Sequence, residues 1–566
     1  MGERATALAE RTAGEEPDAS GSRREPVTSS PVRWAMGAVL MTVAVQLVIL
    51  LWRTGGTFVY VLDDPAIHLT VARRLIFHGT WGVVPGEFQS ASSSPLWTLV
   101  LAPTQWVFRG KAGEVAPLVL NLVAAWWVLR LLAPDLTRFR SSLGRAGTPA
   151  VVFVAVVLLF LPGLAFVGME HTLHMALVLA LVLATESFLV RKPPDGGDFR
   201  TKNWVAAVVL VFLATLTRGE TAFVVAGLVL AVLWLGVGSL RRRISIGAGL
   251  VASCLTAFGV VAAVNLAYGQ EILPNSVVLK TLGDRGETGR TLDVAWERLS
   301  TDPLLVVLLI VALAVVVDGV RRRSGQAYLF PAVAFMVATL LHVDLAAVAQ
   351  DVRYQAYLLG LGVLVLLRVV PAALERRPVR PGWWAPGLVL LVLVAGSTLQ
   401  LKRTATAPWR AEGMYEQRYQ VAQFLHQAYD HEPIAIGELG YIALYHDGPL
   451  TDVYGLADHE VLQARMDHDH DNAFWHALQE RRGFRVLVAY DFTTTGDEMK
   501  GWYRVGMWRS PDLYYPVTEF WATTPEEVQP LLDRLHAFES ELADNVEVTY
   551  NRLAPLAAHR EIEARG

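Results

Sequence analysis

The sequence predicts an all-α, multi-pass membrane domain followed by an α/β domain, and three observations support this fold class. The 566-residue chain is 53% hydrophobic, and only 18% of its residues are charged, whereas a soluble globular domain carries about 25%. Its mean hydropathy is +0.36. Apolar runs close to bilayer-spanning length recur from residue 34 to about residue 400, and short apolar strands then alternate with helical stretches.

Composition also excludes several classes of protein. The net charge of -4 and the absence of a long basic stretch argue against a nucleic-acid partner. The single cysteine, Cys254, lies inside an apolar run, so disulfides and cysteine-rich zinc sites are excluded. The apolar runs predict instead that the lipid bilayer is a partner of the chain.

The N-terminal region predicts a cytoplasmic start. Residues 1–33 are polar and rich in Glu, Arg, Ser and Pro, which is typical of a disordered tail. The apolar run 34–52 follows Arg23, Arg24 and Arg33 and is longer than a typical signal-peptide core. We expect a retained signal anchor with its N-terminus in the cytoplasm.

Ten further apolar runs bring the predicted number of membrane spans to about eleven. They lie near residues 115–133, 149–167, 171–190, 204–217, 221–238, 246–267, 303–317, 327–342, 355–371 and 383–399. Arginine and lysine clusters fall in alternate connections, at residues 138–145, 191–202, 241–243, 321–323 and 376–380. The positive-inside rule makes those connections cytoplasmic. Residues 34–400 then form the transmembrane domain, and residues 401–566 form an extracytoplasmic α/β domain.

One apolar segment is too short to be counted as a span. Residues 95–108, PLWTLVLAPTQWVF, are interrupted by Pro103, and as a span they would reverse the sidedness of every later loop. We predict an interfacial or re-entrant helix on the outer face. The first external loop then covers residues 54–114.

Two adjacent aspartates, Asp63 and Asp64, open this loop. Asp64 before Pro65 predicts a helix over 64–77 with Asp64 as its N-cap. The pair could serve only as a cap and a solvated charge. Alternatively, one carboxylate beside another has a raised proton affinity, which suits a general base. His68 lies one helical turn from Asp64 and is expected to contact it.

Other polar residues gather at the predicted outer ends of spans. Each one alone is typical of an interfacial charge, but their common side predicts a polar pocket that faces outward. They are Glu170, His171, His174, Arg218, Glu220, Lys280, His342, Asp344, Asp351 and Arg353. The DHDHD segment at 467–471 has metal-ligand residue types, but a solvated loop is the preferred interpretation.

A series of short motifs carries a family resemblance. Asp63-Asp64 precede PGE (85–87) and SSSPLW (92–97), and these are followed by GME (168–170), TRGE (217–220), PNSVVLK (274–280), RY (353–354) and DVYGLAD (452–458). In order and sidedness these motifs resemble the GT-C superfamily of membrane glycosyltransferases. The likeness is greatest to the bacterial branch that includes the mycobacterial terminal arabinofuranosyltransferase. TRGE departs from the family by lacking a proline, and His171 stands where the family often has Thr.

The resemblance implies an activity and roles for specific residues. It implies transfer of a sugar from a polyprenyl-phosphate donor to a cell-envelope glycan, lipid or protein acceptor on the outer face of a bacterial plasma membrane. Asp64 or Asp63 would be the catalytic base. Arg353, with Lys280 and Arg218 behind it, would hold the donor phosphate. The pocket would include His68, Glu170, His171, Glu220 and Tyr354.

The cofactor and two other function classes stay open at this stage. Some members of that superfamily use a divalent metal, Mg²⁺ or Mn²⁺, which Asp63 and Asp64 would bind here, although nothing in the sequence requires one. A lipid or sugar transporter would place ionisable residues near the bilayer midplane, and the predicted spans carry few. A non-catalytic envelope assembly protein would need no carboxylate pair beside a cationic pocket.

Overall fold

The computed structural model describes residues 30–189, 199–284, 292–322, 326–346, 350–376, 392–490, 497–511, 513 and 515–550. Within these ranges a helical bundle is followed by a small mixed sheet with its own helices, which confirms the predicted fold class. Most of the predicted tail lies outside the described residues. The first helix begins at Ser30, slightly before the predicted start of the first span.

Seventeen α-helices precede residue 377 in the described chain. They are α1 Ser30–Arg53, α2 Asp64–His78, α3 Pro95–Val107, α4 Lys111–Glu114, α5 Ala116–Leu131, α6 Ala133–Ser142, α7 Gly147–Phe153, α8 Leu161–Val167, α9 His171–Leu189, α10 Phe199–Thr217, α11 Thr221–Leu235, α12 Leu240–Ala267, α13 Asn275–Asp284, α14 Leu292–Ser300, α15 Pro303–Arg322, α16 Gln326–Leu345 and α17 Ala356–Arg376. Gly144–Ala146 and Gln350–Val352 are 3₁₀ turns, and Val154–Leu158 is a π turn.

Seven described segments are long and apolar enough to cross a membrane, so the chain is a multi-pass membrane protein. They are Pro31–Arg53, Lys111–Leu131, Gly144–Val167, Leu240–Ala267, Pro303–Arg321, Tyr328–Leu345 and Ala356–Glu375. Three other predicted spans correspond to shorter apolar helices, His171–Ser187, Asn203–Thr217 and Thr221–Leu235. The last predicted span, 383–399, falls largely outside the described residues. The count of eleven therefore stays a prediction.

The predicted span 149–167 is not a continuous helix. Its π turn leads to Phe160, which adopts a left-handed conformation (φ 52°), and a new helix, α8, begins at Leu161. The Phe160 ring lies over Gly163 so closely that a side chain at Gly163 would overlap it. α8 ends at Gly168 (φ 70°), and this turn delivers Glu170 to the side of the bundle where the C-terminal domain packs.

The two short helices of the first loop form as predicted. α2 ends at Gly79, whose left-handed conformation (φ 65°) closes the helix. α3 covers the segment predicted to be interfacial, and Pro103 lies inside it. Leu69 of α2 packs against Trp97 and Leu101 of α3 in a small apolar core, which fixes the direction of α2.

From residue 398 onward the described chain contains a six-stranded sheet and seven α-helices. The helices are α18 Thr398–Ala405, α19 Ala407–Met414, α20 Gln420–Tyr429, α21 Gly440–Tyr445, α22 His459–Met466, α23 Asn472–Arg482 and α24 Pro525–Phe538. The strands are β1 Ile434–Ile436, β2 Leu450–Asp452, β3 Val486–Tyr490, β4 Tyr503–Arg509, β5 Val517–Ala522 and β6 Glu547–Tyr550. Tyr415–Tyr419 is a π turn and Glu539–Glu541 a 3₁₀ turn.

The sheet order is β2-β1-β3-β5-β4-β6. β1 pairs in parallel with both β2 and β3, whereas the other pairings are antiparallel. The chain segments that follow β1 and β2 therefore leave the sheet at the same edge. In open α/β sheets this carboxyl edge is where ligands bind.

The C-terminal domain packs directly on the first loop. Tyr60 and Phe166 of the bundle share one apolar core with Tyr441 and Ile442 of α21. The Tyr441 hydroxyl accepts a 2.9 Å hydrogen bond from the backbone N–H of Tyr60. This contact holds the residues just after β1 against the start of α2.

Candidate active site

A cavity of about 280 Å³ lies between the bundle and the C-terminal domain. Its bundle wall includes Asp64, His68, Met169, Arg218, Arg353 and Tyr354. Its opposite wall consists of Gly437, Glu438, Leu439, Asp452, Tyr454 and Leu456. Predicted site residues that are far apart in sequence thus meet around one cavity.

Asp64 and Arg353 form an ion pair on the cavity wall. The Arg353 guanidinium donates a hydrogen bond from Nη1 to the Asp64 carboxylate. The Arg353 side chain is 10% exposed, whereas that of Asp64 is 40% exposed. The carboxylate therefore remains reachable from the cavity while its cationic partner is nearly buried.

The turn formed by Asp351 and Val352 is strained, and it places Arg353 on the cavity wall. Asp351 (φ 65°) and Val352 (φ 64°) are both left-handed, which is costly for a β-branched residue and is typical of functional positions. The Asp351 carboxylate holds this turn by ion pairs to Arg403 at 3.3 Å and to Arg410 at 2.5 Å. Since both arginines belong to helices that lead into the C-terminal domain, that domain helps to position Arg353.

Tyr354 lies between two guanidinium groups. The Arg218 and Arg353 guanidinium carbons lie 5.1 Å and 4.9 Å from the centre of its ring. Arg218 is already bound by two carboxylates, at 2.7 Å to Glu170 and 3.1 Å to Glu220. The TRGE and GME motifs are thereby joined into one buried ion cluster, and Arg218 is less available to a ligand than Arg353.

The two predicted pocket histidines are buried beside this cluster. His68 Nδ1 lies 3.2 Å from the hydroxyls of both Thr98 and Ser92, and its Nε2 lies 3.9 Å from Glu170. His68 and Asp64 line the same cavity, and Nδ1 of the His68 ring faces the SSSPLW segment. Burial lowers the pKa of His68, so its imidazole is neutral near pH 7. His171 lies edge-on to Tyr354, at 6.1 Å between ring centres.

Asp63 has a different environment from Asp64. It is 8% exposed and accepts a 2.8 Å hydrogen bond from the backbone N–H of Tyr441. Burial raises the pKa of Asp63, and the nearby Arg418 opposes that rise. Gly440 allows this close approach, because a Cβ there would overlap the Asp63 carboxyl group.

The predicted N-cap role of Asp64 is wrong. α2 begins at Asp64 itself, and Asp63 occupies the N-cap position without making a side-chain capping bond. Each carboxylate instead accepts a hydrogen bond from a residue distant in the sequence. Asp63 accepts from the Tyr441 backbone N–H, and Asp64 accepts from Arg353. The two adjacent aspartates therefore have different hydrogen-bond partners.

The PNSVVLK segment joins three parts of the site. The Asn275 side-chain amide donates to the Leu456 carbonyl at 3.0 Å, and the Asn275 backbone N–H donates to the Ser90 carbonyl at 3.2 Å. Ser276 lines the cavity. Lys280 lies on α13, but the position of its side chain falls outside what the structure describes.

Sequence reasoning missed Glu438, an ionisable residue of the cavity wall. It follows β1, its side chain is 26% exposed, and it accepts a 3.2 Å hydrogen bond from Arg418. Burial raises the pKa of Glu438 to about 8; Arg418 opposes this rise, whereas Asp63, Asp64 and Asp452 add to it. A lone glutamate after a three-residue strand gives no signal unless the sheet order is known.

Both aspartates of the pair are engaged by protein groups, which does not favour a two-carboxylate metal centre. In the described chain there is no group of three or more His, Cys, Asp or Glu side chains arranged to hold a metal. Arg353 stands beside Asp64, and Asp63 is engaged by Tyr441. In the DHDHD segment, Asp471 caps α23 by accepting from the Phe474 N–H at 2.9 Å. His470 lies 3.5 Å from Glu498.

Solved structures with a similar fold are membrane glycosyltransferases of the GT-C superfamily. One is the archaeal oligosaccharyltransferase AglB from Archaeoglobus fulgidus in complex with an inhibitory peptide and a dolichol-phosphate; it shares 13% identity, with a TM-score of 0.51 over 86% of this chain and 74% of that chain. The same organism's enzyme tethered to an acceptor peptide gives 12% identity and a TM-score of 0.52, over 91% and 75%.

A third similar structure is ArnT from Cupriavidus metallidurans bound to undecaprenyl phosphate. It shares 13% identity, with a TM-score of 0.50 over 87% of this chain and 99% of that chain. The family described as Domain of unknown function (DUF8728) matches residues 408–532. No curated protein matches the sequence. These likenesses show that the chain has the GT-C fold.

Proposed function

We propose that the protein is a glycosyltransferase that moves a sugar from a polyprenyl-phosphate donor to a hydroxyl-bearing acceptor. The observation that carries this proposal is the Asp64–Arg353 pair on the wall of a cavity in a GT-C fold. A carboxylate suits proton removal from the acceptor, and a nearly buried arginine suits a phosphate. Similar folds have been solved with dolichol-phosphate and undecaprenyl phosphate, which supports a donor of this class.

The reaction requires one bond to form and one to break. The acceptor oxygen forms a bond to the anomeric carbon of the sugar, and the bond from that carbon to the phosphate oxygen breaks. The electron pair of the broken bond leaves with the polyprenyl phosphate. Asp64 takes the acceptor proton, and Arg353 stabilises the charge that develops on the departing phosphate.

Donor binding would prepare the base for this step. Without donor, the Arg353 guanidinium neutralises Asp64, and an ion-paired carboxylate is a weak base. A donor phosphate offers Arg353 a bidentate partner and would displace Asp64. Arg218 is held by Glu170 and Glu220, so its proposed role is to fix Tyr354 and to add positive potential.

Membrane sidedness belongs to the same proposal. The alternation of positive loops predicts a cytoplasmic N-terminus, and the cavity and C-terminal domain would then lie outside a bacterial plasma membrane. On a background with Cys254 replaced by alanine, cysteines at the exposed positions Glu87 and Ser540 should react with an impermeant thiol reagent in intact cells. A cysteine at exposed Ser141 should not, and labelling of Ser141 alone would contradict the orientation.

The direct test of the activity uses purified protein with a panel of synthetic polyprenyl-phosphate sugars. The proposal predicts release of polyprenyl phosphate together with transfer of the sugar, from at least one donor. Decaprenyl-phosphate arabinofuranose belongs in the panel, because the motif series resembles the arabinofuranosyltransferase branch. Movement of intact donor across proteoliposomes without release of polyprenyl phosphate would instead support a transporter.

A further inference from the structure

The two walls of the cavity differ in chemistry. The bundle wall carries the cations Arg218 and Arg353 around Tyr354. The C-terminal wall carries Glu438 and Tyr454 and, in the residues that line it, no cation. A phosphate is attracted to the cations of the first wall and finds none among the residues that line the second, so the second wall is suited to the other substrate.

The sheet topology explains why this wall belongs to the C-terminal domain. Gly437, Glu438 and Leu439 directly follow β1, and Asp452, Tyr454 and Leu456 lie at or after the end of the neighbouring parallel strand β2. Both segments lie at the carboxyl edge of the sheet, which is the usual ligand edge of such sheets. The docking of α21 on the first loop turns this edge toward Asp64.

The side chains of this wall are held in place by buried contacts. The Arg418 guanidinium donates to Glu438 and lies 3.7 Å from the centre of the Tyr490 ring, so it cannot move freely. Asp452 is 2% exposed, and its two carboxylate oxygens accept the backbone N–H groups of Tyr454 and Ala457 at 2.9 Å and 2.8 Å. Asp452 thus fixes the turn that presents Tyr454, which is 38% exposed.

We propose that Glu438 and Tyr454 form the acceptor subsite and that the acceptor is a saccharide. The proposal rests on the proposed glycosyl transfer and adds the acceptor class to it. A carboxyl group can hydrogen-bond neighbouring sugar hydroxyls, and the exposed Tyr454 ring can pack against the apolar face of a sugar. The subsite lies across the cavity from the donor phosphate site, so a bound hydroxyl would stand between Glu438 and Asp64.

The test measures the two halves of the site separately. Methyl and octyl glycosides, a matched set of Ser/Thr/Asn peptides and undecaprenyl phosphate are titrated against purified full-length protein. The variants are Glu438→Ala, Tyr454→Leu, Arg353→Ala and a control, Glu547→Ala, which removes an exposed glutamate of β6. Thermal unfolding of each variant verifies that it is folded.

The proposal predicts that at least one glycoside binds and that Glu438→Ala and Tyr454→Leu each weaken it at least tenfold. Undecaprenyl phosphate affinity should stay within twofold of the parent in both variants, and Glu547→Ala should change neither. Arg353→Ala should show the reverse pattern. Preference for octyl over methyl glycosides would identify a glycolipid acceptor, and equal affinities a free glycan.

Three results would overturn the subsite. They are the absence of glycoside binding to the parent protein, glycoside affinity unchanged in both variants, and binding of peptides in place of glycosides. Failure of the proposed function has a different signature. In that case undecaprenyl phosphate would not bind, or would bind without dependence on Arg353, whatever the glycosides do.

Discussion

Asp64 and Arg353 are 289 positions apart in the chain, yet their side chains form an ion pair at the cavity between the bundle and the C-terminal domain. The pair joins the start of α2 to the turn before α17. It brings a half-exposed carboxylate next to a nearly buried guanidinium. This one contact combines a candidate proton acceptor with a candidate phosphate ligand.

Arg353 is predicted to bind the donor phosphate. Arg353→Ala should weaken undecaprenyl phosphate binding by about 10- to 100-fold, since a charge-assisted bidentate contact is lost. Arg353→Lys should restore only part of the affinity, because lysine keeps the charge but not the planar, two-pronged geometry. Equilibrium binding to purified protein measures this effect. If Arg353→Ala binds undecaprenyl phosphate with unchanged affinity, then Lys280 or Arg218 would be the phosphate ligand instead.

Asp63 is predicted to position the loop rather than to accept the proton. Asp63→Asn keeps a carbonyl oxygen that can still accept from the Tyr441 N–H, so transfer should stay within about tenfold of the parent rate. Asp63→Ala leaves that N–H unsatisfied and should cost about 1–3 kcal/mol of stability. Thermal unfolding and initial rates separate the two effects. A rate loss of 10³ or more in well-folded Asp63→Asn would make Asp63 the base.

Gly440 is predicted to be essential for the docking of the first loop. Gly440→Ala places a methyl group where the Asp63 carboxyl lies, so the loop must move and both the unfolding temperature and the transfer rate should fall. Gly259→Ala is the matched control, because a side chain there meets open space. Equal behaviour of the two variants would show that the Asp63 contact is unimportant for the site.

Acceptor binding is predicted to weaken above about pH 8. The pKa of Glu438 is raised to about 8 by burial and by the carboxylates of Asp63, Asp64 and Asp452, against the opposing effect of Arg418. Below that pH the protonated carboxyl can donate a hydrogen bond to an acceptor hydroxyl, and above it the donor is lost. The acceptor KM should therefore rise between pH 7 and pH 9.

Glu438→Gln provides the control for that titration. The glutamine amide can both donate and accept hydrogen bonds and does not ionise, so this variant should bind the acceptor with a KM that does not change over the same pH range. If the acceptor KM of Glu438→Gln still rises above pH 8, a group other than Glu438 causes the pH dependence.

Much of the fold could be predicted because its signals are local. Hydropathy predicts the helical bundle, Pro65 and Gly79 bracket α2, and the apolar segment 95–108 does form a short helix, α3. The break at Phe160 was missed because the surrounding residues are uniformly apolar. Pro162 and Gly163, directly after it, were the available signal.

The parts of the site that were missed depend on tertiary packing. Asp63 and Asp64 are neighbours in the sequence, and only the packing of α21 and of the turn before α17 gives them different partners. Glu438 becomes a cavity residue because β1 and β2 are parallel neighbours, which no spacing in the sequence reveals. The motif series nevertheless brought Asp64, Arg218, Arg353 and Tyr354 into one predicted pocket, and these residues do line one cavity.

The central claim is that Asp64 is the base of a glycosyl transfer, and the rate of Asp64→Asn tests it most directly. Asparagine cannot accept the proton, so transfer from the active donor should fall about 10²–10⁴-fold. Undecaprenyl phosphate should bind at least as tightly as before, because Arg353 loses its competing carboxylate. If folded Asp64→Asn transfers sugar at close to the parent rate, Asp64 is not the base and this account of the site is wrong.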